Sequence, residues 1–235
     1  MAVSCHTGGF YFRIHTMQAL LSQWQPRLLA LASASLGDDS AHDINHLHRV
    51  WRNAGALLEE HLEADALVVM AACYLHDLVN LPKNHPQRHL ASRQAAVLAC
   101  RQLAEQGFPE EKLAAVAHAI ETHSFSADLT PNTIEAQIVQ DADRIDALGA
   151  VGLARMFYTA ARMGSALAHG SDPLALQRPL DDKAYSLDHI LTKLDKLPGK
   201  MRTAAGRALA ERRLQLLLDF RATFAEEWGS DTASA

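Results

Sequence analysis

Aromatic residues make up only 6% of this chain, and its β-branched residues come in short, scattered runs. No stretch alternates apolar and polar residues over strand length, so nothing in the pattern supports a half-buried sheet. Cysteine is scarce as well. Cys5, Cys73 and Cys100 are an odd number without C-x-x-C spacing, which gives no disulfide framework and fits a reducing compartment. The longest apolar run, Ala66 to Leu75, is too short to span a bilayer. The first fifteen residues, MAVSCHTGGFYFRIH, lack the charged start and apolar h-region of a secretory signal. A soluble, cytoplasmic protein without a membrane partner is the expectation. The net charge of −5 argues against a nucleic-acid partner, which would call for a basic footprint. There is no internal repeat and no low-complexity linker.

What is present favours helix. Hydrophobic residues reach 49% over 235 positions, enough for a substantial core, and alanine and leucine dominate them. Leu20, Leu21, Trp24, Leu28 and Leu31 recur at helical spacing, with Pro26 expected to kink or split that helix. Ile44, Leu47, Val50, Trp51, Ala54 and Leu58 form a second apolar stripe behind a candidate N-cap at Asp43. Further helices are expected from Ala66 to about Val79, from about Gln87 to Glu105, from Glu110 to Thr122, and from Thr133 to Met156. A longer loop follows between residues 163 and 183, and a final helix runs from about Met201 to Trp228. Residues 1–16 carry no helical period, and Met17 is expected to open the domain. The chain divides into a 1–16 extension, a domain over 17–228 and a 229–235 tail.

Histidine is the anomaly, with 13 copies against six lysines. His6, His15, His61 and His169 read as scattered surface residues. The stretch ALVVMAACYLHD is different, because ten apolar residues end in His76 and Asp77 side by side. Burying an imidazole and a carboxylate unpaired costs several kcal/mol. A hydrogen-bonded structural pair would compensate them; so would a cation, favoured at the negative end of a helix dipole.

Other polar groups sit on elements otherwise patterned for burial. His46 lies beside the apolar stripe near the start of its helix. Asp141, Asp143 and Asp146 fall in IVQDADRIDALG, where a helical wheel leaves Asp141 and Asp146 flanking the apolar face and Asp143 further round. Asp141 and Asp143 point about 200° apart on a regular helix and do not easily share one ion. His118 and His123, five apart, are not expected to share a ligand either. Lys83 and Arg88 follow the His76–Asp77 pair in a loop stiffened by Pro82 and Pro86, and a cationic loop there would suit phosphate.

The order His46, His76–Asp77, Asp143 resembles the H…HD…D signature of the HD superfamily of metal-dependent phosphohydrolases. DINHLHRV, YLHDLV and ADRIDALG carry that resemblance. HPQR, AIETHSFS, IVQDADRIDALGAVGLAR and RPLDDKAYSLDH are similar to its bacterial YedJ/YpgQ-like subgroup, over about Met17 to Phe224. The resemblance implies an all-α fold, a single helical HD-domain bundle. It implies one divalent ion on His46, His76, Asp77 and Asp143, with Asp141 kept as the alternative fourth ligand. A mixed nitrogen and oxygen set suits manganese, iron, cobalt, nickel or zinc, with magnesium less at ease beside two histidines; manganese is the preferred expectation.

The implied activity is phosphohydrolysis of a nucleotide, nucleoside triphosphate to monophosphate and pyrophosphate, with monophosphate or cyclic-nucleotide hydrolysis as the alternative. Lys83 and Arg88 would bind the substrate, and a homodimer is compatible with the family. In several relatives an acidic residue stands three positions after the HD aspartate; here it is Asn80. His123 and Asp146 are then the candidate bases beside Asp77, and a degenerate metal- or nucleotide-binding module stays open as the non-enzymatic alternative.

Overall fold

The computed structural model describes residues 7–35, 44–81, 85–125 and 127–229. Among them it has nine α-helices, four short 3-10 segments and no strand. The helices are α1 (Thr7–Ser33), α2 (Ile44–Leu58), α3 (Ala66–Leu75), α4 (Ala91–Glu105), α5 (Glu110–His123), α6 (Ile134–Ile145), α7 (Gly149–Arg162), α8 (His189–Thr192) and α9 (Ala204–Trp228).

The bundle is built around α3. Every residue from Leu67 to Leu75 is 0–1% exposed, so this helix is apolar all round because it is covered all round. It packs against α1, α2, α5 and α6. Its start is fixed by Asp65, whose carboxylate accepts from the backbone N–H of Leu67 at 3.0 Å and Val68 at 3.3 Å. Lys112 of α5 pairs with the other oxygen of Asp65. Glu135 of α6 accepts from the Asp65 N–H at 3.0 Å. One N-cap residue thereby ties three helices at the end of α3 opposite His76.

Several boundaries differ from the sequence expectation. Helix α1 begins at Thr7, so its backbone crosses the 16/17 boundary, and it continues through Pro26 without a break. Helix α3 ends at Leu75 rather than near Val79, which sets His76 at its C-cap. The single helix expected over residues 133–156 is two helices. The chain turns at Asp146–Leu148, and Gly149 takes φ +74°, a left-handed conformation that glycine adopts without a Cβ penalty. Helix α9 starts at Ala204, because Thr203 caps it by accepting from Gly206 N–H at 2.9 Å. The candidate cap Asp43 lies outside the described residues. No described helix is long and apolar enough to cross a membrane.

Candidate metal centre

Three helix ends deliver the candidate ligands. His46 comes from the first turn of α2, His76 and Asp77 from the end of α3, and Asp143 from the last turn of α6. His46 and His76 are 2% and 1% exposed. Their Nε2 atoms face each other at 3.3 Å. Asp143 Oδ1 stands 3.5 Å from His46 Nε2 and 3.8 Å from His76 Nε2. Asp77 Oδ2 stands 3.8 Å and 3.4 Å from the same two nitrogens. Ligand atoms of His46, His76 and Asp77 all lie within 4.8 Å of one another.

The tautomers follow from what each Nδ1 touches. His46 Nδ1 meets a carboxylate oxygen of Asp146 at 2.8 Å, and His76 Nδ1 meets the Cys73 carbonyl at 2.9 Å. Both partners are acceptors, so each Nδ1 carries the hydrogen and donates it. In their neutral forms the two rings present lone pairs to each other, with two carboxylates alongside, a set of electron-pair donors converging on one place. A proton relieves it in the free protein: burial pushes His76 down, but Asp77 and Asp143 outweigh burial and raise its pKa to about 9. The same pairing holds Asp77 well below the usual carboxylate range, with His76 overcoming the opposing effect of burial.

A divalent ion relieves it equally well. Nitrogen and oxygen ligands about 2.0–2.2 Å from one ion stand roughly 3–4.4 Å apart. The separations of 3.3–3.8 Å among His46, His76 and Asp77 match that, and Asp143 stands in the same range from both nitrogens, so these residues fit the group.

His123, at the end of α5, joins the cluster from the side. Its Nδ1 donates to the Ile120 carbonyl at 2.6 Å, which turns Nε2 toward Asp77 Oδ1 at 3.8 Å. Its ring lies edge-on to His76, centroids 4.7 Å apart. Burial and then the neighbouring His76 lower its pKa, which favours the neutral imidazole. His118 instead points to the surface, where its Nε2 accepts from Asn132 N–H at 3.2 Å.

Asp146 has a different place from a water-facing base. It is 1% exposed and sits behind His46, on the side away from the cluster. Arg49 Nε and Nη2 reach its two oxygens at 2.8 and 3.1 Å, and Arg155 Nη1 reaches Oδ2 at 2.5 Å. Burial pushes this carboxyl up, but His46, Arg49 and Arg155 outweigh burial and bring it down to about 2. A buried carboxylate engaged by a ring and two guanidinium groups holds that ring in place.

Asp141 is equally occupied elsewhere. Its oxygens accept from Arg202 N–H at 2.9 Å, from Thr203 N–H at 2.8 Å and from the Thr203 hydroxyl at 2.8 Å. It therefore builds the start of α9. Gly206 permits the approach, since a Cβ there would lie 2.4 Å from Asp141 Oδ2.

Sequence reasoning missed the frame behind these groups. Asn53 donates to the Ala142 carbonyl at 3.0 Å and accepts from Arg213 Nη2 at 2.8 Å, while Arg213 Nη1 reaches the Ile145 carbonyl at 3.2 Å. These contacts lock α2, α6 and α9 together beside Asp146. Arg49 lies one helical turn after His46, the only local hint that both serve one carboxylate.

Of the expected substrate cations, Arg88 donates to the Leu81 carbonyl and so braces its own loop. Lys83 lies outside the described residues. Asn80 is exposed.

Comparison with known proteins places this geometry in a family. The HD domain profile matches residues 43–148, a span holding His46, His76, Asp77, His123, Asp143 and Asp146. The chain is 34% identical over 187 residues to the uncharacterised protein YpgQ of Bacillus subtilis, covering 78% of this chain and 82% of that one. A crystal structure of YpgQ in complex with ADP superposes with TM-score 0.66 at 28% identity, covering 90% of this chain and 96% of the other. An HD-superfamily hydrolase from Bacillus thuringiensis superposes with TM-score 0.68 at 28% identity, covering 91% and 99%. With its helical scaffold, its histidine–aspartate cluster and these likenesses, the chain belongs to the HD-domain phosphohydrolase family.

Proposed function

We propose that the chain hydrolyses nucleotides with one divalent metal ion, cutting nucleoside triphosphates to monophosphates and pyrophosphate. The observation that carries this reading is the pair of Nε2 atoms 3.3 Å apart, flanked by Asp77 and Asp143. His46, His76, Asp77 and Asp143 would hold the ion, taken as manganese, with cobalt, nickel, iron, zinc and magnesium as the alternatives. When bound, a divalent ion at such a site lowers the pKa of water and polarises a phosphoryl oxygen.

The chain's own groups supply the rest. Asp146, clamped by Arg49 and Arg155, fixes His46 so that Nε2 stays directed at the cluster. His123 Nε2 accepts a proton from the attacking water. It suits this task better than Asp146, being neutral at neutral pH and turned to the cluster. Lys83 and Arg88 counter negative charge on the phosphates. The nucleotide assignment draws on YpgQ, which crystallised with ADP.

The test is a nucleotide screen with manganese, cobalt, nickel and magnesium, the products identified. Pyrophosphate together with a monophosphate supports the reading. Inorganic phosphate from monophosphates, or opening of a cyclic nucleotide, moves it to the alternative. Nucleotide binding without product under any ion overturns it and leaves a binding module, the reading that exposed Asn80 favours.

A further inference from the structure

One surface feature beside the cluster is not used by the chemistry above. Phe125 is 50% exposed, although it stands two residues after buried His123. Three cations gather over its ring. Lys200 Nζ lies 4.6 Å from the centroid, Lys193 Nζ 5.5 Å and Arg144 Cζ 5.8 Å. Arg144 directly follows Asp143, and its Nη1 donates to the Lys200 carbonyl at 3.0 Å. The patch is therefore joined to the centre twice along the chain, through His123–Phe125 and through Asp143–Arg144.

Its electrostatics are unusual in a chain of net charge −5. A cation over an exposed aromatic face contributes about 0.5–1 kcal/mol. Collecting three around one ring sets them against each other, while of the nearby carboxylates Asp143 faces His46 and Asp141 is spent on α9. Two flexible ammonium groups and one planar guanidinium on a shared aromatic floor have the charge and donors that suit a polyanion with several phosphates.

We propose that Arg144, Lys193 and Lys200, assembled over Phe125, bind the polyphosphate chain of the substrate beyond the phosphoryl group held at the metal centre. This rests on the phosphohydrolase reading and deepens it. The patch selects triphosphates over monophosphates, because a monophosphate engaged at the centre has no further phosphate to reach it.

The probe is inorganic tripolyphosphate, titrated calorimetrically into the full-length metal-free protein in EDTA. Manganese alone is titrated separately into the same variants without EDTA. The wild type is expected to bind tripolyphosphate, and Lys193→Ala and Lys200→Ala are each expected to weaken it by roughly tenfold. Phe125→Leu keeps an apolar side chain but removes the ring face, and is expected to weaken binding several-fold. Manganese affinity is expected to stay at the wild-type value throughout, which also reports on folding. Lys193→Gln and Lys200→Gln repeat the measurement should an alanine variant misfold.

An unchanged tripolyphosphate affinity in the Lys193/Lys200 double variant overturns the inference, as does a wild type that binds none. The two readings fail separately. Patch-dependent tripolyphosphate binding in a protein that hydrolyses no nucleotide sustains this inference and removes the activity. Triphosphate hydrolysis with unchanged KM in the double variant does the reverse.

Discussion

His46 and Asp146, one hundred residues apart in the chain, meet at 2.8 Å through Nδ1 and Oδ2. The contact holds the hydrogen on Nδ1 and leaves Nε2 to face His76. Asp146→Asn keeps the shape but offers an amide that can donate, so the ring no longer has one preferred tautomer. Losing such an outer partner typically costs 10–100-fold in metal affinity. We predict a loss in that range, read by manganese titration; wild-type affinity would show that His46 needs no orienting carboxylate.

Asp77 is the carboxylate adjacent to His76, and its substitution tests the centre directly. Asp77→Ala is expected to lose both bound metal and turnover while circular dichroism stays helical, since the change falls after the end of α3. Stoichiometric metal together with normal turnover in this variant would remove Asp77 from the centre.

Asp141 and Asp143 give opposite expectations. Asp141→Ala strands two backbone N–H groups and a hydroxyl at the start of α9, each worth about 1–3 kcal/mol when left unpaired and buried. Chemical denaturation is expected to register a loss on the order of 3 kcal/mol, with metal stoichiometry retained. Asp143→Ala is expected to lose metal and keep stability. Reversed outcomes would make Asp141 the ligand.

Asp182 anchors α8 by accepting from His189 Nδ1 at 2.7 Å and the Thr192 hydroxyl at 2.9 Å. Burial raises its pKa, but these bonds outweigh burial and lower it. A depressed folded pKa means stability that is present above the unfolded value, about 3.9, and is lost as pH falls through the folded one. The side chain is 34% exposed, so solvent screening keeps the contribution under about 1 kcal/mol. Asp182→Asn is expected to be less stable than wild type at pH 7, with the two unfolding midpoints converging toward pH 3. A gap that widens on acidification would contradict the sign.

Lys83→Ala and Arg88→Ala are expected to lower kcat/KM roughly tenfold or more, the scale of a lost charge-assisted hydrogen bond. Metal content should hold at the wild-type value. Unchanged kinetics would leave the loop as surface, with Arg88 serving only its bond to the Leu81 carbonyl.

The helices were legible because burial imposes a period on the chain. The stripe from Ile44 to Leu58 and the unbroken apolar run of α3 announce one covered face and one wholly covered helix. The His76–Asp77 pair was legible for the same reason, because two polar groups ending a buried run demand a partner. Helix ends were less so. The break at Asp146–Leu148 is met by Arg213, 64 positions after Gly149, which bonds the Ile145 carbonyl and packs where a Gly149 Cβ would approach it. A local period contains no information about such a partner.

The three aspartates of IVQDADRIDALG mark the limit most sharply. Sequence alone placed them a few residues apart and determined that Asp141 and Asp143 diverge, since a regular helix turns about 100° per residue. Which one meets the histidines was decided by what stands on either side of α6. Helix α9 arrives on one side with the donors of Arg202 and Thr203, and takes Asp141. Helices α2 and α3 arrive on the other with His46 and His76, and face Asp143. Asp146, past the end of α6, is left to Arg49, Arg155 and the back of the His46 ring. A carboxylate's role is set by the donors that surround it, and those donors come from segments the local sequence does not contain.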